Sequence, residues 1–183
     1  MKLKLVTPDK KYLSSVREAI TEYKSKPSKF EIHAVSKMIM AEQNNFDDYF
    51  GNTLNEAAGL NLRPGYVAHS VFWLVDDDNY IGTFNLRHSL TPALEQIGGH
   101  IAYQILPSKQ RKGYAYAGLK LCLVEANKIG IEKVLVTCKA ENTASYSVIH
   151  KAMLEFGGYE DEVLVKDNCV EKRVWIRTDK CEY

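Results

Sequence analysis

The chain has no apolar run approaching the ~20 residues that cross a bilayer. Its first residues, Met1 to Val6, alternate lysine with apolar side chains and lack the long apolar stretch of a secretion signal. It has no charge excess either: 24 Lys and Arg stand against 23 Asp and Glu, a formal net charge of +1, so no global field draws it to nucleic acid or to an acidic membrane. Cysteine is scarce, and Cys122, Cys138, Cys169 and Cys181 show no CxxC spacing. That disfavours a zinc site or a disulfide framework and fits isolated thiols in a reducing cytoplasm. No repeat, low-complexity tract or linker divides the 183 residues, which predict one domain with a real core.

What is present is a regular alternation of apolar periods. Leu3 to Val6 reads as a short strand, and Thr7-Pro8-Asp9 opens a helix carried by Tyr12, Leu13, Val16 and Ile20. A second helix is expected around Ile32 to Ala41, whereas Asn44 to Pro64 mixes amides, acids and glycine and reads as variable loop and short helix. Val71 to Val75 and Tyr80 to Leu86, joined by an acidic turn from Asp76 to Asn79, predict an antiparallel hairpin. Leu90 to Gly99 connects it to the strand His100 to Leu106, Pro107 stops that strand, and Gly113 to Ile129 is a helix closed by Gly130. Val134 to Cys138 is a buried strand, Asn142 to Phe156 a helix, and Val163 to Val165 and Val170 to Ile176 a last hairpin turning at Lys166-Asp167-Asn168. The order predicts an α+β fold with a mixed sheet.

The stretch Gln110-Arg111-Lys112-Gly113-Tyr114-Ala115 stands between a strand and a helix. The first N–H groups of a helix have no intrahelical acceptor and the helix dipole adds positive charge there, so an anion is the natural ligand. Gly113 and Ala115 leave the backbone open to it, and Lys109, Arg111 and Lys112 add charge.

Gln110-x-x-Gly113-x-Ala115 follows Tyr103-Gln104-Ile105-Leu106-Pro107 and precedes Val134 to Cys138, Asn142-Thr143-Ala144-Ser145 and Gly157-Gly158-Tyr159. Over about residues 71–176 this series resembles the GCN5-related N-acetyltransferase (GNAT) superfamily, whose acyl-CoA signature is Gln/Arg-x-x-Gly-x-Gly/Ala. The resemblance implies a single-domain GNAT fold: a mixed, mostly antiparallel sheet with a splayed central strand pair, flanked by helices. It implies an acyltransferase that moves acetyl from acetyl-CoA to a primary amine of a small molecule or peptide, by direct attack in a ternary complex. By the same resemblance Ile105 pairs with the pantetheine amides, and the Tyr103 N–H faces the thioester carbonyl as oxyanion donor. Gln110 heads the signature, the N–H groups of Arg111, Lys112, Gly113, Tyr114 and Ala115 meet the pyrophosphate, and Asn142 stands beside the cofactor while also suiting a helix N-cap. The implied partners are acetyl-CoA and an amine of unstated identity, with no metal, nucleic acid or membrane; a homodimer stays open.

The proton handlers are less plain, because an alkylamine is mostly protonated at neutral pH and a departing thiolate gains from a proton. Many relatives carry a tyrosine seven residues after the asparagine; here that position is Ile149, and Tyr146, one turn earlier, is the candidate acid. Many use a glutamate near the start of the splayed strand, which corresponds to Gly99, so the base candidates are the neighbouring His100 and Glu95. Gly98-Gly99-His100 is the expected entry for substrate, and Asn44 to Tyr66 the expected cover of the acceptor site. The turn Asp76-Asp77-Asp78 reads as solvated carboxylates. Two other classes remain: a non-catalytic acyl-CoA sensor or regulatory domain, suggested by the two departures, and a dinucleotide-binding oxidoreductase, since Gly113-Tyr114-Ala115-Tyr116-Ala117-Gly118 fits a relaxed GxGxxG. The second fits poorly, with a basic triplet ahead of the loop and no acidic ribose ligand.

Overall fold

The hairpin expected at Val71 to Leu86 frames the first half of the computed structural model, which describes residues 3–166 and 169–180. Its strands are β2 (His69–Asp76) and β3 (Asn79–Arg87), turning at Asp77 with φ +52°. β1 (Leu3–Val6) flanks β2, and β4 (Ile101–Ile105) flanks β3, giving an antiparallel sheet β1-β2-β3-β4. A second antiparallel sheet holds β5 (Lys133–Lys139), β8 (Cys169–Arg177) and β6 (Gly158–Glu160), with β7 (Leu164–Lys166) also pairing with β8. Asp167 and Asn168, in the expected last turn, lie outside the described residues, as does Cys181.

The alternation along β2 and β3 serves two cores. Trp73, Val75 and Tyr80 join a cluster with α1 (Leu13–Ser25), α2 (His33–Gln43) and α3 (Phe46–Ala57). Leu74, Ile81, Phe84 and Leu86 join another with α5 (Tyr114–Lys128) and α6 (Thr143–Phe156). No helix among the described residues is long and apolar enough to cross a membrane.

Two segments are more regular than the sequence suggests. The amide-rich stretch after Asn44 forms α3 over twelve residues, because the Asn45 side chain accepts from the Asp47 N–H at 2.9 Å and Phe46, Tyr49 and Thr53 are buried. Tyr49 stacks on Trp73 at 6.3 Å, so tertiary burial overrides poor local propensity. The connection from Leu90 to Gly99 contains α4 (Pro92–Gln96), with the Thr91 side chain as N-cap and Pro92 in the first turn.

The two sheets touch at one end of β4 and β5. The His100 N–H donates to Leu135 O at 2.7 Å, and the Leu135 N–H donates to His100 Nδ1 at 2.9 Å. Beyond that apex no strand pairing joins β4 to β5, so the strands part as a V. Gly99 sits at the apex with φ +57°, where a Cβ would meet Leu135 O at 2.4 Å; only glycine permits this approach.

Candidate active site

On one side of the V lies a cavity of about 510 Å³, bounded by β4, the turn after it and the start of α5 and α6. Lys109, Gln110, Arg111, Gly113 and Ala115 line it, with Tyr103 and Ile105 from β4 and Asn142 and Ser145 from the α6 end. Arg111 and Gly113 both take left-handed backbone, φ +59° and +83°. None of the N–H groups from Arg111 to Ala115 donates to a described acceptor, which leaves an anion-binding concavity at a helix N-terminus. Non-glycine residues pay for such conformations, and Arg111 keeps one at this loop. The Gln110 side chain donates to Ile105 O at 3.2 Å and fixes the loop to β4. Lys112 and Tyr114 are not among the lining side chains: the Lys112 ammonium donates to Ser108 O at 3.0 Å and Tyr114 packs on the core.

The register of β4 decides which backbone groups are free. Arg87 N–H donates to His100 O and Leu106 N–H to Ile81 O. Antiparallel pairs alternate, so Phe84↔Tyr103 and Gly82↔Ile105 are the non-hydrogen-bonded pairs. The N–H groups of Tyr103 and Ile105 therefore face away from β3 and into the cleft. A free strand edge would suit a pantetheine arm and the loop a pyrophosphate, so the residues present fit acetyl-CoA.

Tyr103 also contributes its side chain. Its ring stacks on Phe84 at 5.3 Å and its hydroxyl lies 3.0 Å from Ser145 Oγ. Burial raises its pKa well above the ordinary phenol value, so it stays protonated. Asn142 caps α6 by accepting the Ser145 N–H at 3.2 Å, and so joins the capping and lining roles in one residue.

Three candidate proton handlers stand elsewhere. Ile149 is fully buried, and Tyr146 lines neither side of the cleft; its hydroxyl donates to Glu160, which raises its pKa. His100 is 7% exposed at the closed apex. Because its Nδ1 accepts the Leu135 N–H, Nε2 carries the proton in the neutral ring, and neither nitrogen offers a lone pair to a substrate. Glu95 lies exposed on α4, outside both cavities; its backbone carbonyl accepts from Arg173. Of the expected entry Gly98-Gly99-His100, Gly98 lines the cavity on the other side of the V, whereas the Gly99–His100 step is the sealed end of the V.

Burial and the Arg87 guanidinium lower His100 to about 4, against 6.5 for a free imidazole. The unfolded chain takes up a proton below 6.5 that the folded chain refuses, so stability held above that pH is lost between about 6.5 and about 4. His100→Asn, which keeps an acceptor for the Leu135 N–H but does not titrate, is expected to flatten this slope in urea unfolding measured across that range. An unchanged slope would place the proton elsewhere.

On the other side of the V is a second cavity of about 340 Å³. Phe30, Tyr103, Asn142 and Ser145 line both cavities, so the two meet where β4 and β5 have parted. Its floor is Ile101, Ala102 and Val136, and its walls carry Cys138 and Glu171. Burial and the nearby Glu171 charge push the Cys138 thiol up to about 11, an unreactive thiol. The cover is not Asn44 to Tyr66, none of which lines either cavity, but the α1–α2 connection from Ser28 to Ile32. That segment is held by the Ile32 N–H donating to Gln104 Oε1 at 2.9 Å and by Lys29 pairing with Glu141 at 3.0 Å. Sequence reasoning missed Ser145, Glu171 and this cover. No local signal marks Glu171, which sits in a run Glu171-Lys172-Arg173 that reads as a solvated strand end.

Comparison with known proteins agrees with this geometry. No curated protein matches the chain. Among solved structures, RimL, a ribosomal L7/L12 α-N-protein acetyltransferase in complex with coenzyme A, superposes with TM-score 0.63 at 12% identity, covering 96% of this chain and 93% of that one. A chimera of the spermidine N-acetyltransferase SpeG from Vibrio cholerae and hSSAT gives 0.62 at 18% identity, covering 98% of each chain. yncA from Salmonella typhimurium, solved with acetyl-CoA, gives 0.60 at 11%, covering 100% and 96%. At these identities the likeness is one of fold. The sequence itself matches the acetyltransferase (GNAT) domain over residues 17–154, three quarters of its length, and the chain therefore belongs to the GNAT acetyltransferase family.

Proposed function

We propose that the protein, as one transferase domain over residues 1–183, moves the acetyl group of acetyl-CoA to a primary amine by direct attack in a ternary complex. The observation that carries this reading is the meeting of two cavities on Tyr103 and Ser145. One has the loop and strand edge for the cofactor, and the other has room for an acceptor. Bound acetyl-CoA would supply an activated thioester carbonyl. Ile105 would hold the pantetheine, Gln110 would brace the loop, and the N–H groups from Arg111 to Ala115 would hold the pyrophosphate, with Asn142 beside the arm. The Tyr103 N–H would stabilise the developing oxyanion, an effect of roughly 3 kcal/mol in comparable sites. Ser145, which lines both cavities with the Tyr103 hydroxyl 3.0 Å away, would protonate the leaving sulfur. The isolated thiols support a cytoplasmic setting.

Two structural relatives carry names of amine acetyltransferases with unlike acceptors, a ribosomal protein and spermidine, so fold alone does not select the acceptor. A mass-spectrometric acetylation screen across amines, polyamines, aminoglycosides, amino acids and peptides tests the reading. An acetylated amine with matching CoA release supports it; tight acetyl-CoA binding with no turnover on any amine favours the sensor, the reading that the displaced Tyr146 and His100 would suit. Ser145→Ala is expected to lower kcat about 100-fold and Tyr146→Phe to leave it within about twofold, a contrast read by steady-state CoA release. The reverse order would return the acid role to Tyr146.

A further inference from the structure

We propose that the Glu171 carboxylate is the cation anchor and proton acceptor of the second cavity, and that the acceptor is a primary amine that arrives there as its ammonium ion. This rests on the acetyl-transfer reading above. Glu171 is 5% exposed and lines the cavity from β8. Buried carboxylates are as a rule hydrogen-bonded or paired. This one accepts no hydrogen bond from a described residue and forms no ion pair with one. Lys139 faces it across the β5–β8 ladder without coming within ion-pair distance, and Lys29 is already paired with Glu141. No cation among the described residues neutralises it, and a cation that enters the cavity would.

The surroundings state what that partner is. Ile101 and Val136 form an apolar floor, which suits the carbons next to an ammonium group, while Lys29, Glu31 and Lys139 also line the cavity. Cys138, Ser145 and Tyr103 line the same cavity as Glu171, and the Tyr103 hydroxyl lies 3.0 Å from Ser145 Oγ. A cation seated at Glu171 is therefore on the path to the junction of the two cavities. Burial lifts the Glu171 carboxyl above its ordinary range, with Lys139 partly opposing, and the same dry setting favours a neutral acid and amine over an ion pair.

The protons then balance. Glu171 takes one from the ammonium ion and later releases it to solvent. The freed nitrogen lone pair forms the C–N bond at the acyl carbon, the C–S bond breaks, and its electron pair leaves with sulfur. Sulfur takes a proton through the Ser145 hydroxyl, which recovers one from the nitrogen, so the products are the amide, the free thiol and one proton.

The test uses ethylamine and its mono-, di- and trifluoro analogues, whose basicity falls with each fluorine, on the full chain. Glu171→Gln is expected to lower kcat for ethylamine about 100-fold or more, and the loss should shrink stepwise toward a few-fold as the amine becomes neutral without help. Calorimetry on the acetyl-CoA-free protein should show ethylammonium binding in the wild type and none in Glu171→Gln, while the Kd for acetyl-CoA and the Tm stay unchanged. Glu171→Asp, which keeps the charge but withdraws it, should retain part of the binding. Equal losses for all four amines, or none, would overturn the role of Glu171 while leaving acetyl transfer standing. A wild-type protein that binds acetyl-CoA but acetylates none of the four would overturn the transfer reading, and the proton-acceptor role with it.

Discussion

Replacing Gly113 by glutamate is expected to weaken acetyl-CoA binding about 100-fold or more with the fold intact. Gly113 has φ +83° and nothing within 4 Å of where a Cβ would stand, so the new side chain has room and costs only the left-handed backbone, about 1 kcal/mol. What it adds is negative charge in front of the unpaired N–H groups from Arg111 to Ala115, where the pyrophosphate would sit. Like charges set against each other at an interface cost several kcal/mol, and ~1.4 kcal/mol is tenfold in Kd. Gly113→Ala separates the two causes, since it keeps the strain without the charge and should lose at most about tenfold. Calorimetric titration at low and high salt checks the origin, because screening should shrink the glutamate effect and spare the alanine one. Equal affinities for the two variants would remove this loop as the pyrophosphate site.

Gly99→Ala is expected to destabilise the protein by about 3 kcal/mol or more and to disturb the cleft in whatever remains folded. Its φ is +57°, and an added Cβ would stand 2.4 Å from Leu135 O and 2.9 Å from Leu135 C. Those are backbone atoms of a buried strand and cannot swing aside as a side-chain tip would. Relief requires moving β4 away from β5, which breaks the 2.7 Å bond from the His100 N–H to Leu135 O and the return bond to His100 Nδ1. For a chain of this size the loss corresponds to a fall in Tm on the order of 10 °C. Gly51→Ala is the control: Gly51 lies exposed inside α3 with nothing within 4 Å, and alanine there should stabilise by about 0.5–1 kcal/mol. A Gly99→Ala protein that melts with the wild type would mean that the two strands are not locked at the apex.

Most of the fold was legible because its signals are local. The Asp76–Asn79 turn, Pro107, Gly113 and Gly130 punctuate the chain where the structure changes element. α3 was not, since Asn45, Asp47, Asp48 and Gly51 are poor helix formers and the helix exists through the burial of Phe46 and Tyr49 beside Trp73. The candidate site divides the same way. Its anion-binding loop is one contiguous stretch before a helix, whose preference for negative charge follows from the local sequence. Its acceptor side is gathered from Phe30, Ile101, Val136 and Glu171, which belong to four separate elements or connections, and no spacing predicts their meeting. His100 was misread because its neighbours in sequence promised a cleft, while its burial and its bond to Leu135 depend on a strand more than thirty residues away.

The placement of β8 bears on how the chain is made. It lies between β5 on one edge and β6 and β7 on the other, and α6 packs on it, yet it is the last strand in chain order. On a ribosome the first sheet can close as soon as β4 has emerged, because all its partners precede it. The second sheet has no middle until the final strand appears, so β5 and α6 wait with apolar faces uncovered. On the proposed reading, cofactor binding, which draws on the start of α6, would then follow the emergence of β8 and not that of the loop alone.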